Sequence, residues 1–254
     1  MKYIKFLLAL LLLPTVALAD GWDTQYKQIE RSIRQPQFGD KVFNITKYGA
    51  STKATAAANQ KAINKAIDAC SKAGGGRVVI PEGTFNTGAI TLMSKVNLHV
   101  EKGAVLQFVF QPELYPIVPT RWEGLDCYNL QPCIYAYKQN DVAITGEGTI
   151  DGGGENATWW KWCGKDTYGW KTGEVGQNMG ARARLLKYAE DGVDMKERRF
   201  TAKDGLRPQL INIYDCDGVL IENVTLLRSP FWVIHPLLCK NVTVRGVHIN
   251  NDGP

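Results

Sequence analysis

Residues 209–249 read QLINIYDCDGVLIENVTLLRSPFWVIHPLLCKNVTVRGVHI, and the stretch superposes on itself. Adding 23 to Cys216, Val219, Ile221, Val224 and Leu226 gives Cys239, Val242, Val244, Val247 and Ile249. A fixed period of this length, built of strand-forming runs with no helix between them, marks a β-solenoid. Alternation within each run puts Val219 and Ile221, then Val242 and Val244, on one face. Stacked coils bury such positions as continuous apolar ladders. Leucine-rich repeats share the period range but need a Leu/Asn consensus that is absent here. A β-sandwich also has short strands, yet it imposes no such register on them.

Working outward, the same texture extends upstream. RVVIPEGTF (77–85), AITLMSKVNLHVEKGAVLQF (89–108) and DVAITGEGTIDGGG (141–154) are short β-rich runs broken by Gly, Asn, Asp or Pro. VFNITKYGA (42–50) reads as a strand ending at a Gly turn. Between them, TAAANQKAINKAIDACSKAGGG (55–76) is the one clear helix. Ile63, Ala66, Ile67 and Cys70 fall at i, i+3, i+4 and i+7, with Thr55 as N-cap and Gly74 to Gly76 as the stop. No helix returns at βαβ spacing, which excludes a doubly wound sheet. The expected fold is all-β, a single-stranded solenoid whose N-terminal helix caps one open end of the coil stack and hides unpaired strand edges. Residues 152–208 interrupt the repeat with an aromatic, Gly-rich stretch and then a strongly charged one. An insertion of this length is functional or mobile, and both a cleft wall and a solvated flap stay open.

Composition narrows the function classes. The start MKYIKFLLALLLLPTVALAD has a charged lead (Lys2, Lys5), an apolar run (Phe6 to Leu13) and a small-residue site ending at Ala19. This is the pattern of a secretory leader over residues 1–19, its apolar run too short to span roughly 30 Å of hydrocarbon. Residues 20–40 read as a polar lead-in, and 41–254 as the solenoid domain. The chain has 30 Lys and Arg against 25 Asp and Glu, so without Lys2 and Lys5 the balance is 28 against 25, or +3. Such a surface tolerates an acidic ligand without selecting one, and with no basic stripes nucleic acid is not an expected partner. The six cysteines permit disulfides in an oxidising compartment, with Cys127 and Cys133 the first pair to test. With no CxxC pair and no metal spacing among the three histidines, neither a metal nor a cofactor is expected.

Three segments taken in order are similar to the polygalacturonase family, glycoside hydrolase family 28: AGGGRVVIPEGTFNTGAITLMSKVNLHVEKGAVL (73–106), IYAYKQNDVAITGEGTIDGGG (134–154) followed by Trp159-Trp160, and RPQLINIYDC through NNDGP (207–254). The resemblance runs from Val42 to Pro254. It departs at YGASTKAT (48–55), where relatives often carry a Gly-Asp-Gly turn followed by acidic residues. It implies a right-handed parallel β-helix that hydrolyses α-galacturonosyl links of pectin with inversion, using carboxylates as general acid and base. An inverting pair stands about 6.5–9.5 Å apart, leaving room for water. Coils about 4.8 Å apart, with alternate residues about 6.6 Å apart along a strand, provide that separation on a rigid face.

In relatives NNDGP is followed by an Asn-Thr-Asp motif carrying the first catalytic aspartate, and later coils add an Asp-Asp pair, a Gly-His-Gly and an Arg-x-Lys. None of these occurs here. The expectation is therefore that the C-terminal coils lie beyond Pro254, that no catalytic residue is present, and that this chain is inactive. Asp151, Asp215, Asp217 and Asp252 read as turn formers. Trp232 stands seven residues before Cys239, as the first catalytic aspartate of relatives does before the matching position of its coil. Trp232 is thus expected on the cleft floor, stacking on a sugar. His235 falls on the opposite alternation unless Pro236 bends the strand, and both are carried as substrate-binding residues. The arginines of KERRF (196–200) either pair with substrate carboxylates or form solvated surface. Cys216 and Cys239 stack on consecutive rungs, as a disulfide or as buried thiols. The implied substrate is a pectic polysaccharide or oligogalacturonide. The full-length protein is expected to be exported (periplasmic or extracellular), monomeric and off the membrane once its leader is cleaved. A pectate lyase using Ca²⁺-assisted β-elimination and a non-catalytic carbohydrate-binding solenoid are the competing readings.

Overall fold

The structure is a computed structural model, and it describes residues 19–254. The leader reading falls on residues outside the described ones. The described residues divide into two compact units, with the boundary between Arg34 and Gln35. In the first, α1 (Ala19–Ser32) covers much of the segment that reads as a polar lead-in. Trp22, Tyr26 and Ile29 recur at helical spacing along it and are exposed.

The second unit winds its chain through three parallel sheets. The first sheet holds β1 (Val42–Asn44), β2 (Gly76–Ile80), β5 (Val96–Val100), β10 (Asn140–Gly146), β13 (Asp217–Glu222) and β16 (Lys240–Arg245) in that spatial order. The second runs β3 (Gly83–Thr87), β6 (Ala104–Phe108), β11 (Thr149–Asp151), β14 (Thr225–Leu227) and β17 (His248–Asn250). The third runs β4 (Ile90–Thr91), β9 (Ile134–Tyr137), β12 (Ile211–Tyr214) and β15 (Ile234–Leu237). Within these three sheets every strand pairing is parallel. Each full coil gives one strand to each sheet, which is a right-handed parallel β-helix.

The apolar ladders expected from the period are its core. Val78, Leu98, Ile144, Ile221 and Val244 occupy successive rungs of the first sheet. Phe85, Leu106, Ile150, Leu226 and Ile249 do so in the second, and Ile90, Ile134, Ile211 and Ile234 in the third. Strand α-carbons one rung apart bury these side chains against each other, at about 25 cal/mol per Å² of apolar surface removed from water. Helix α2 (Ala56–Lys72) covers the open end at β1: Ile63, Ala66, Ile67 and Cys70 are fully buried, and Thr55 caps it by accepting from the Ala58 N–H at 3.3 Å.

The turn from the third sheet to the first repeats its backbone from coil to coil. Lys138, Asp215 and Leu238 share one left-handed position (φ 55°, 54° and 52°), and Asp141, Gly218 and Asn241 share the next (54°, 76° and 52°). Asp and Asn tolerate this conformation, as Asp215 was expected to, but leucine does not. Leu238 is also 64% exposed, so it gains nothing from burial. Leu238→Asn is expected to raise stability by about 1 kcal/mol, read as a shifted urea midpoint with an unchanged slope.

Two features were not anticipated. An antiparallel hairpin of β7 (Ile117–Trp122) and β8 (Leu125–Leu130) leaves the solenoid and packs outside it. The insertion is folded, with α3 (Ala181–Glu190) and several 3-10 turns. Trp122, Cys127, Leu185, Phe200, Leu206 and Phe231 form a second apolar cluster that joins the insertion to the hairpin. The solvated-flap alternative does not describe this segment. Cys127 and Cys133 are buried free thiols, not a disulfide: Cys127 lies in that second cluster and Cys133 in the solenoid core. No helix among the described residues is long and apolar enough to cross a membrane.

Candidate functional site

The third sheet turns its polar rungs outward, under the hairpin. Thr91, Tyr135, Asn212 and His235 are neighbours in register on β4, β9, β12 and β15, opposite the isoleucine ladder. Their polar atoms meet partners from the hairpin and each other. Thr120 donates to Asn212 Oδ1 at 3.2 Å, and Asn212 Nδ2 donates to the His235 carbonyl at 2.8 Å. The same amide nitrogen lies 3.3 Å from His235 Nδ1. With the Asn212 oxygen already accepting, His235 Nδ1 receives the amide proton, which places the ring's own proton on Nε2. Tyr135 donates its hydroxyl proton to Pro119 O at 2.5 Å. Arg121 clasps Asp126 through two bonds of 2.7 and 2.9 Å, and Tyr214 donates to the same carboxylate at 3.0 Å. The hydrogen bonds from Arg121 are the chief reason Asp126 stays below the usual carboxylate range.

Trp232 is 40% exposed, and its ring meets His235 edge to face at 4.2 Å. Behind it, Phe231 stacks on Trp232 at 5.3 Å and on Trp122 at 5.2 Å. His235 is buried; burial first, and the nearby Arg121 charge second, lower its pKa to about 4. It is therefore neutral at ordinary pH. Simple alternation assigned the two side chains to opposite faces. The structure brings them together because residues 231–233, following Pro230, bend instead of running as strand, and only from Ile234 does the sheet resume.

Arg207 is the residue that pattern reading missed. It is buried, donates to Gln177 Oε1 at 3.0 Å and to the carbonyls of Pro230 and Pro254, each at 3.1 Å, and its guanidinium lies over the Phe231 ring at 5.0 Å. None of the ion pairs found among the described residues includes it. Burial, only partly opposed by charges such as that of Glu123, pulls its pKa down to about 10. The insertion adds a second hold on the same place. Trp160 Nε1 donates to Ser229 O at 2.8 Å and its ring rests on Gly253, while the Ser229 N–H donates to Asn251 Oδ1 at 2.6 Å. Residues 251–254 are thus tied to Ser229, Trp160 and Arg207.

Comparison with known proteins places this architecture. The crystal structure of a hyperthermoactive exopolygalacturonase from Thermotoga maritima superposes with a TM-score of 0.86 at 39% identity, over 91% of this chain and 52% of that one. The chain is a relative of the family 28 polygalacturonases. A family 28 exopolygalacturonase from Yersinia enterocolitica gives a TM-score of 0.60 at 25% identity, over 84% of this chain and 39% of that one. A probable polygalacturonase of Vitis vinifera is 29% identical over 211 residues, 77% of this chain and 35% of the grape protein. No family model matches the chain. This polygalacturonase relative thus spans about half the length of the Thermotoga structure and about a third of the curated grape protein.

In the polygalacturonase-like chain Asp151 and Asp217 serve the scaffold. Asp151 receives three bonds of 2.7 to 3.1 Å from Arg228 and one of 2.9 Å from the Gly153 N–H. Asp217 accepts from Asn241 Nδ2 at 2.7 Å, and Asp252 is exposed. In the KERRF run Lys196, Glu197 and Arg199 are exposed, as the solvated-surface alternative has it, while Arg198 is half-buried. Arg198 donates to Val193 O at 2.8 Å, Arg199 lies over the Tyr128 ring at 4.7 Å, and Phe200 is fully buried.

Proposed function

We propose that this chain is the N-terminal part of an exported, pectin-degrading glycoside hydrolase of the polygalacturonase type, cutting α-galacturonosyl links with inversion through paired aspartates on coils past Pro254. The observation that carries the reading is the 39% identity to an exopolygalacturonase across 91% of this chain. The physics of the last rung supports it. Val244 and Ile249 are 45% and 49% exposed, whereas Ile221 and Leu226 one coil earlier are buried to 1% or less. One more coil of the same period would cover them. Trp232 supplies an exposed aromatic face for a sugar ring, and neutral His235 holds that indole edge to face. The names of both solved relatives favour action from chain ends.

The test is a reducing-sugar assay on polygalacturonate with the 254-residue chain and with the full gene product. Hydrolysis by the longer protein only, with Trp232→Ala lowering kcat/KM about tenfold for the loss of ~1.4 kcal/mol of ring stacking, is the expected result. Metal-independent hydrolysis by the short chain alone would show that the catalytic groups have been misplaced. A calcium-dependent rise in ultraviolet absorbance would move the reading to β-elimination. Early release of small products, rather than a sudden fall in viscosity, reports end-wise action.

A further inference from the structure

The turn between the third and first sheets carries a cysteine at the same place on two successive coils. Tyr214 pairs with Leu237 and Asp217 with Lys240 on either side of it, so Cys216 and Cys239 are direct neighbours. The Lys240 N–H donates to Cys216 O at 2.9 Å, which locks the two turns rung to rung. Parallel strands stand about 4.8 Å apart, inside the 4.4–6.8 Å α-carbon span of a disulfide. The sulfurs also point alike: Cys216 Sγ lies 3.3 Å from Tyr214 O, and Cys239 Sγ 3.3 Å from Leu237 O and 3.2 Å from Ile213 O. One coil earlier, Gln139 occupies this place, and its N–H donates to Cys216 Sγ at 3.3 Å.

The two thiols differ in the way an attacking and a resolving sulfur differ. Cys239 is half-buried between the exposed Leu238 and Lys240, whereas Cys216 is only 3% exposed behind it. The interaction between the two neighbouring thiols holds Cys239 below the ordinary thiol range and Cys216 above it. Burial pushes Cys70 up to about 11 and Cys127 up to about 12, and Cys133 higher still. Thiolate character and access therefore coincide at Cys239.

We propose that Cys216 and Cys239 are a thiol-oxidation site that closes to a disulfide between neighbouring coils when met by a small disulfide oxidant such as oxidised glutathione. The Cys239 thiolate attacks one sulfur of the oxidant, forming a mixed disulfide and releasing one glutathione thiolate. The Cys216 thiol gives its proton to solvent, and its sulfur attacks Cys239 Sγ, expelling the second glutathione thiolate. Two protein thiols are oxidised by two electrons, and the oxidant is reduced to two glutathiones. The resulting bond staples β15, which carries His235, to β12 beneath it.

The experiment incubates the native 254-residue chain with oxidised glutathione, alkylates residual thiols and digests with trypsin without reductant. Arg228 lies between the two cysteines, so the bond appears as a linked pair of peptides. Wild type is expected to give the Cys216–Cys239 link with no glutathione left on Cys239. Cys216→Ser should retain glutathione at Cys239, and Cys239→Ser should leave Cys216 unmodified. The linked form should melt roughly 5–10 °C higher, reversed by dithiothreitol. Wild type that keeps glutathione on Cys239, or leaves both thiols open to alkylation, overturns the proposal, and this arm decides even if a serine variant fails to fold.

Discussion

Gly146→Ala is expected to destabilise the β-helix by about 4 kcal/mol, against about 1 kcal/mol for Gly124→Ala. Both glycines have positive φ, 116° and 88°, so both substitutions carry conformational strain. The surroundings separate them. Gly146 ends β10 opposite Val100 of β5, and a Cβ there would sit 2.0 Å from the Val100 carbonyl oxygen, with the Val100 carbonyl carbon and nitrogen at 2.8 and 3.0 Å. Those are backbone atoms of a strand clasped on both sides, and the Val100 oxygen already accepts from the Gly148 N–H at 3.0 Å. Nothing can yield without breaking the rung. A Cβ on Gly124, at the tip of the hairpin, meets nothing within 4 Å. One coil on from Gly146, Asn223 adopts φ 63° in the matching place, so the close approach of Val100, beyond the sign of φ, is what demands glycine. Urea unfolding followed by circular dichroism reads both variants, and midpoint shifts of similar size would refute the argument.

The same contrast between local and long-range causes explains what could be read from the amino-acid order. The core ladders were legible because each rung repeats the same two-residue alternation, and a partner at +23 confirms it. Helix α2 was legible because its cap, stripe and glycine stop are all local. The hairpin was not, because Pro119 interrupts β7 and hides it; a proline is tolerated there only because the ribbon has no further strand beyond it. Glu123-Gly124 between two apolar runs was the signal that could have found it. Helix α3 buries only Ala181 and Leu185, too short a stripe to stand out among charges. Arg207 and Asn212 carried no local mark at all. A buried guanidinium or amide is defined by the carbonyls it meets, and those come from Pro230, Pro254 and His235, remote in the chain from at least one partner. Trp232, expected on the outer face from its distance to a repeat position, is 40% exposed. The direction of His235 was left open, because it hung on where the strand bends; the bend comes at residues 231–233, before the strand that carries it.

Between pH 6.5 and pH 4.5 the wild type is expected to lose about 2 kcal/mol more stability than a His235→Gln variant. The folded-state pKa of His235 is about 4, below the ordinary 6.5, because burial and the Arg121 charge disfavour the imidazolium. In that window the unfolded chain binds the proton and the folded chain does not, so stability rises with pH. The contribution is fully present above pH 6.5, is lost as pH falls towards 4, and changes no further below that. At about 1.4 kcal/mol per pH unit the upper limit is about 3 kcal/mol. Other groups titrate with the same sign. His99 is also lowered, chiefly by burial, and acts in the same window, which is why the comparison is with a variant that retains it. Asp126, held low by Arg121, contributes stability present above its ordinary range and lost only as pH falls below it, so measurements confined to pH 4.5–7 keep it charged. Glutamine at 235 keeps an acceptor for Asn212 Nδ2 while removing the titrating ring, so an offset at all pH values is allowed and only the slope is diagnostic. Urea midpoints that run parallel for the two proteins across this range would mean that His235 is protonated in the fold. It would then be a cation set against the Trp232 ring and near Arg121, and the neutral ring that holds the indole in place would have to be abandoned.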